Sequence, residues 1–391
     1  MIQAEEFSET EKNRIRDNAD NVKNRFLGNL RTFKTAPDIP LLLVGDVYNG
    51  IWLEHNQDNL FLAEYAPESA WASQKFFMDH QREDGLIMFA APYEKSSHHK
   101  DDFLYWHIQC VYSFARCALE IADRTGRPEA DYDAIYRSGS RYDDWFTTYR
   151  NRLGTGLAEM YCEWDTGHDN DPRVTDGGIP HTCPGQDAVN MPELPIMPIL
   201  SVDLSAMLYG NRCALAELAE RLGKPDEAAS WREKAFRLKQ AIRKWLYDPE
   251  DDFYYDRDRN GFRKYRTEHI TRLFLNRVLD QNEFDSIYAR YFETEGQEFL
   301  PPFPFPAVSV SDPHFDRNCP KNSWASNSQA TTTERAILWM DHYNRGKDLT
   351  GLLSRWMRSF LRDDNRFQQE INPFTGAPVG SSENYSPSLI L

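Results

Sequence analysis

Apolar residues along the chain recur at steps of three and four, and Gly, Pro and acidic residues interrupt them. That pattern predicts helices joined as hairpins. A polar-faced helix is expected over 8–31 and a second over 67–81, where Pro67 suits the first turn and Trp71, Phe76 and Phe77 supply apolar weight. Helices over 105–122 and 132–149 flank the stop Thr125-Gly126-Arg127-Pro128. A helix over 204–222 ends at Gly223-Lys224-Pro225, and Asp226 opens the next, whose Ala228, Trp231, Ala235, Leu238, Ile242 and Leu246 mark one face. Both stops have one grammar: a C-cap glycine, a cation at the negative end of the dipole, Pro, then acid in the next first turn. Further hairpins pair 270–279 with 283–292 and 334–343 with 348–361, and 386–391 reads as the opening of a helix.

Long irregular stretches separate the hairpins, at 36–62, 83–104, 153–202, 249–266, 296–329 and 363–387. Loops of this length inside a compact domain are usually functional. They recur once per hairpin, so they are expected to gather on one end of a ring. No shift in composition marks a boundary, so residues 1–391 read as a single domain. Antiparallel helix pairs fit an open solenoid or a closed toroid. The units resemble each other too loosely for a regular solenoid. The expected fold is all-α, an (α/α)6 toroid with its long loops on one face and no appended β-domain.

Composition narrows the function. Of 391 residues, 40% are hydrophobic and 13% aromatic, enough for a large core, which rules out global disorder. A net charge of −16 argues against a nucleic-acid or anionic-membrane partner, since both need a positive surface. No window nears ~18 uninterrupted apolar residues, so no membrane span is expected. The polar N-terminal stretch has no apolar segment typical of a secretory signal. Cys110, Cys117, Cys162, Cys183, Cys213 and Cys319 include no CxxC pair, and Cys110 and Cys117 fall within one helical pattern. They read as small buried residues in a reducing compartment, so a cytoplasmic location is expected. The Trp and Tyr excess suits a hydroxyl-rich ligand, because flat rings stack on the apolar faces of sugars.

The 153–202 loop holds Glu163, Asp165, Asp169 and Asp171 within nine residues, beside Trp164 and Gly167. One reading is a metal-binding or surface turn, although the spacing does not match an EF-hand loop. The other is that one acid, desolvated by Trp164, is a proton donor. His98-His99 has no matched ligands nearby, so no metal role is expected there, and no redox or organic cofactor is implied. Trp52, Glu54, His55 and Asp58 read either as a sugar-binding wall or as a solvated loop. His107 reads as a satisfied helix histidine or a sugar contact. Trp324, among Ser and Asn in a long loop, reads as functional.

The string Trp164-Asp165-Thr166-Gly167-His168-Asp169-Asn170-Asp171-Pro172 resembles the W-E-S-G-x-D-N-S-P motif of glycoside hydrolase families 63 and 37. These include processing α-glucosidases, trehalases and bacterial mannosylglycerate and glucosylglycerate hydrolases. Asp165, Thr166 and Asp171 are chemically close replacements within the motif. Other pieces come in the same order. Gln81 to Ile87 is similar to Q-x-x-D-G-x-I/L, and Trp106 to Gln109 to W-x-x-Q. Val202-Asp203-Leu204 and the run through Trp245 and Tyr254-Tyr255-Asp256 are similar to the V-D-L-N helix and the helix and loop after it. Asn322 to Asn327 sits where the family has Y-W-R-G-P-V-W-P-x-x-N, without its Arg and second Trp, and Asn372-Pro373-Phe374-Thr375-Gly376 resembles N-P-x-T-G. The resemblance spans about residues 40–391.

The resemblance implies an inverting α-glycosidase acting on a small α-glucoside or α-mannoside, of disaccharide or glycosylglycerate type. Asp169 takes the place of the general acid. Trp52, Glu54, Asp58, Trp106, Gln109, Trp164, Asp165 and Trp324 would contact the sugar or wall its pocket. The base, normally a Glu three residues before the Asn of N-P-x-T-G, falls on Gln369. Three readings stay open: Glu370 serves after a one-residue shift, Glu383 serves instead, or Gln369 stands in a natural Glu position as an inactivated variant. Inversion requires two carboxyls about 6.5–9.5 Å apart. Two other classes compete: a sugar epimerase on the same toroid, and a non-catalytic helical scaffold that binds a peptide or glycan.

Overall fold

The structure is a computed structural model, which describes residues 2–362, 366–380 and 382–391. Its helices in chain order are α1 (Glu9–Leu27), α2 (Asp58–Leu62), α3 (Pro67–Asp79), α4 (Phe114–Thr125), α5 (Glu129–Tyr149), α6 (Pro172–Thr175), α7 (Val202–Arg221), α8 (Pro225–Leu246), α9 (Ile270–Leu275), α10 (Gln281–Tyr291), α11 (Ala330–Trp339), α12 (Gly346–Arg362) and α13 (Ser386–Ile390). Helices α2, α4, α7, α9, α11 and α13 pack each on the next, and α13 closes the ring onto α2. Around them lie α3, α5, α8, α10, α12 and α1. This is the (α/α)6 barrel that the hairpin pattern predicts.

The two layers differ in sequence for a physical reason. Helix α7 is buried on most sides, and its Ala, Gly and Ser positions let neighbours come close. A Cβ on Gly210 would lie 2.8 Å from Asn276 Oδ1 of the adjoining turn. Helix α8 buries only Ala228, Trp231, Ala235, Leu238, Ile242 and Leu246, the stripe read from the sequence.

Three boundaries differ from expectation. The first helix ends at Leu27, and Leu30–Phe33 pairs with Ala36–Leu42 as a hairpin. Helix α4 starts at Phe114 because the Ser113 hydroxyl accepts the Arg116 N–H at 3.3 Å. Residues 105–113 therefore run outside the helix, and Cys110 with them. The inner helix α2 lies within the stretch expected to be irregular, its single turn too short to show periodicity. Five of the six cysteines are buried and Cys213 is half-buried. Among the described residues no helix is long and apolar enough to cross a membrane.

Short strand pairs fasten the loops. Gly50–Trp52 pairs with Ala90–Pro92, and Ser328–Gln329 pairs with Glu370–Ile371. A four-stranded sheet joins Glu159–Met160, Ile199–Leu200, Arg257–Asp258 and Gly261–Phe262.

Candidate active site

Four of the six long stretches, with the 105–113 segment, meet at one cavity, lined by Tyr48, Trp52, Glu54, His55, Gln109, Gly167, Asp169, Trp324, Gln369 and Tyr385. Residues from the 163–172 and 367–384 stretches thus share one end of the ring.

The four acids of the 163–171 loop separate by task. Asp165 is fully buried and pairs with Arg150, Oδ2 to Nη1 2.5 Å. It also accepts the backbone N–H groups of Ile108 at 3.0 Å and Tyr161 at 2.8 Å. Arg150 holds its carboxyl below the usual range against a burial that acts the other way. Asp165 thus locks the loop to the 105–113 segment and does not line the cavity. Cys162, Asp165 and Cys183 present donor atoms within 4.8 Å of one another. The Arg150 guanidinium also reaches Cys183 Sγ at 3.5 Å, so a positive charge already fills the role a cation would take. Glu163 accepts the Asn170 N–H at 2.8 Å and lies 2.6 Å from His181 Nδ1. Asp171 caps α6 through the Arg173 N–H at 2.8 Å.

Asp169 is the exception. Burial raises its carboxyl first, and the charges of Glu54 and Glu163 add to that, so its pKa is pushed up to about 8. It is protonated at neutral pH and faces the cavity. Gly167, two residues earlier, has φ +76°, and a Cβ there would lie 2.6 Å from the Glu54 carboxylate. Only glycine allows that approach.

Beneath Asp169 a buried ionic network fixes His168. Arg173 Nη2 is 2.6 Å from His168 Nδ1, and Arg272 Nη2 is 2.6 Å from Nε2. Arg173 also pairs with Asp203 at 3.0 Å, and Arg272 with Glu268 at 2.8 Å. The Trp324 ring stands edge-on to His168, centroids 4.7 Å apart.

Gln369 lines the same cavity. Its side-chain oxygen accepts the Tyr48 hydroxyl at 3.0 Å, and its backbone bonds to Ser382 and Ala330 fix the strand. Glu370 is turned away from the cavity. Its carboxylate accepts the N–H groups of Asn322 and of Ser323 (3.1 Å) and the Gln329 amide (3.0 Å). It anchors the loop that carries Trp324. Glu383 is exposed, with Gln368 Nε2 at 3.4 Å, and does not line the cavity either. Its neighbour Ser381 lies outside the described residues.

Burial alone would raise the Glu54 carboxyl, but Arg335, His55 and Arg272 hold it below the usual range. Gln109 Nε2 donates to Glu54 at 2.7 Å, and Arg335 lies 3.3 Å away. Gln109 sits at φ +47°, a conformation that non-glycine residues seldom adopt. Trp52 lines the cavity. Asp58 lies behind it, accepting the Ser386 hydroxyl. Trp106 and Trp164 stand outside it: Trp106 packs on Phe89 at 5.9 Å, and Trp164 stacks on His181 at 5.3 Å. His107 is buried off the helix, its imidazole pushed down to about 4 by burial.

Tyr48, Gly167 and Tyr385 line the cavity without having been singled out for it in the sequence. Arg335 supports it from α11. A signal for Arg335 existed: it is a charge amid Ala330-Thr331-Thr332-Thr333, small residues that mark an inner helix. Tyr48 and Tyr385 had none, since tyrosines are frequent in this chain.

Solved structures share this fold. The mannosylglycerate hydrolase of Thermus thermophilus in complex with Tris superposes with TM-score 0.74 at 16% identity, covering 95% of this chain and 98% of that one. The same enzyme in complex with glucose gives 0.72 at 18% identity, with the same coverage. The neutral trehalase Nth1 of Saccharomyces cerevisiae gives 0.64 at 12% identity, covering 95% of this chain and 78% of that one. The domain family described as mannosylglycerate hydrolase MGH1-like glycoside hydrolase matches residues 59–388. The chain is therefore a glycoside hydrolase and belongs to the MGH1-like family.

Proposed function

We propose that this chain hydrolyses the α-glycosidic bond of a small α-glucoside or α-mannoside with inversion, as a single catalytic domain over 1–391. The observation that carries the reading is Asp169: a carboxyl protonated at neutral pH, aimed into a cavity walled by Trp52, Trp324 and Glu54. It donates its proton to the leaving oxygen. Ionised Glu54 accepts sugar hydroxyls, and the two indoles cover apolar ring faces and exclude water. Gln369, in the wall of the same cavity, orients the attacking water with its amide, and an amide does not take the water's proton. The names of the similar solved structures support the substrate class: one is a mannosylglycerate hydrolase, another a trehalase. Six free cysteines support a reducing, cytoplasmic setting.

An epimerase needs proton-exchanging groups on both faces of one carbon, and a scaffold has no use for a carboxyl kept neutral by burial. The test is a panel of aryl α-glucosides and α-mannosides with trehalose, glucosylglycerate and mannosylglycerate, read by product release and by NMR of the first-formed anomer. Release of the inverted anomer supports the reading. Retention, or no release from any of them by the chain and by its Gln369→Glu variant, overturns it.

A further inference from the structure

Hydrolysis through Asp169 leaves the proton of the attacking water without an acceptor, because the position expected to hold the base carries the amide of Gln369. A hydrogen-bonded chain reaches the same cavity. Tyr385 and His55 both line it, and the Tyr385 hydroxyl lies 3.1 Å from His55 Nε2. The other ring nitrogen, Nδ1, is buried with no hydrogen bond among the described residues and stands 3.6 Å from Asp58 Oδ2. Asp58 is held in turn by the Ser386 hydroxyl and by Gln57 Nε2 at 3.1 Å. With the imidazole proton on Nδ1, facing the carboxylate, Nε2 is left to accept the Tyr385 O–H. The phenol oxygen then keeps its own acceptor capacity for a water in the cavity.

We propose that Asp58, His55 and Tyr385 together form the proton acceptor of this enzyme, in place of a base carboxylate. The proposal rests on the hydrolytic reading above, with Asp169 as acid. Atoms and charge balance in this step. The water oxygen bonds to the anomeric carbon while the glycosidic C–O bond breaks. The Asp169 proton goes to the leaving oxygen. The water's proton goes to the Tyr385 oxygen as the Tyr385 proton passes to His55 Nε2. The resulting imidazolium faces the Asp58 carboxylate. Asp169 is left ionised and His55 charged, and exchange of one proton each with solvent resets both.

The surroundings suit a transient positive charge on His55. Glu54 precedes it in the chain and is ionised, and Asp58 faces it. Arg335 opposes but is paired with Glu54. Glu334, behind Asp58, is pushed well up by burial and by the charge of Asp58. Tyr48 packs against Tyr385 with ring centroids 6.0 Å apart and spends its proton on Gln369. Asp169, which lines the same cavity, is itself protonated.

The experiment compares the parent with His55→Gln, Tyr385→Phe, Asp58→Asn and Gln369→Glu, and with His55→Gln/Gln369→Glu, on whichever glycoside of the panel turns over. Thermal unfolding checks each fold. The expected result is a fall in kcat of about 10²–10⁴-fold for His55→Gln, the usual worth of a general base, with KM little changed. Asp58→Asn, which reads the same chain if His55→Gln does not fold, should fall in the same direction. Adding Gln369→Glu should restore turnover to His55→Gln, with an acid limb set by the new carboxylate. Unchanged kcat in a folded His55→Gln, or no recovery on adding Glu at 369, overturns the relay and leaves the glycosidase reading intact. A parent that is inert while Gln369→Glu alone is active does the same. If no variant hydrolyses any glycoside, the hydrolytic reading falls and the relay with it.

Discussion

Gln369 and Glu370 are adjacent in the chain and face opposite ways. The amide of Gln369 borders the cavity that Asp169 also lines, while the Glu370 carboxylate closes on the backbone of Asn322 and Ser323. Successive side chains of an extended segment alternate sides, and pairing of Glu370–Ile371 with Ser328–Gln329 fixes which side each takes. The carboxylate next to the expected base position is therefore committed to holding a loop.

Asp169→Asn should lower turnover of substrates with poor leaving groups by about 10²-fold or more, the low end of what general acid help supplies. Activated aryl glycosides need less protonation and should lose less. Steady-state rates on a nitrophenyl glycoside beside a disaccharide check this. Equal losses would assign Asp169 another role.

The pH dependence rests on the same carboxyl. Asp169 is protonated below about 8 and loses its proton as pH rises through that value. Activity should fall on the alkaline side near there. Because the folded pKa lies above the unfolded one, the folded state binds the extra proton in the interval between them. Stability contributed by this group is thus present at low pH and lost as pH rises through about 8. Asp169→Asn, which does not ionise, should raise the melting temperature most above that pH. A pH series of kcat and of thermal unfolding reads both.

Glu370→Gln places an NH2 or a neutral oxygen where a carboxylate now accepts two backbone N–H groups. The expected cost is about 1–3 kcal/mol of stability, from donors left poorly paired. KM should rise as the Trp324 loop loosens, with a smaller change in kcat. Chemical denaturation with steady-state kinetics separates the two effects, and a loss confined to kcat would point to direct chemistry instead.

Arg150 and Asp165 form a pair with no solvent exposure on either side. Arg150→Met strands the Asp165 carboxylate in the interior. Removing one partner of such a pair typically costs about 3–5 kcal/mol. The double change Arg150→Met/Asp165→Leu should recover part of that loss. Urea midpoints of the three variants check it.

Gly167→Ala adds a methyl group against the Glu54 carboxylate at a backbone angle that L-residues disfavour. Turnover should fall sharply while the far-UV spectrum stays helical. Unchanged activity would mean that the 163–171 loop tolerates displacement.

Much of this molecule is legible in its residues. The alternation of capped helices and long loops implies a ring, because each amphipathic hairpin has one face to bury and a ring buries all of them together. The six-residue stripe of α8 is readable for the same reason. The W-D-T-G-H-D-N-D-P string marks the loop that carries Asp169, since a cluster of carboxylates beside Trp and Gly is rare enough to stand out. Its four acids look alike in one dimension. Only the tertiary structure sorts them, by bringing Arg150 to Asp165, His181 to Glu163 and the α6 amides to Asp171, and by leaving Asp169 beside Glu54. The sequence misplaces the start of α4 because the 105–113 segment is apolar at helical spacing, yet its amides are claimed by the acid loop. The face chosen by Gln369 and Glu370 depends on a strand partner 41 residues earlier, Gln329 for Glu370. No local rule carries that register. Nor does any local feature join Tyr385, near one end of the chain, to His55 and Asp58, near the other. Closure of α13 onto α2 places them side by side, because a ring brings together the two segments that the sequence holds farthest apart.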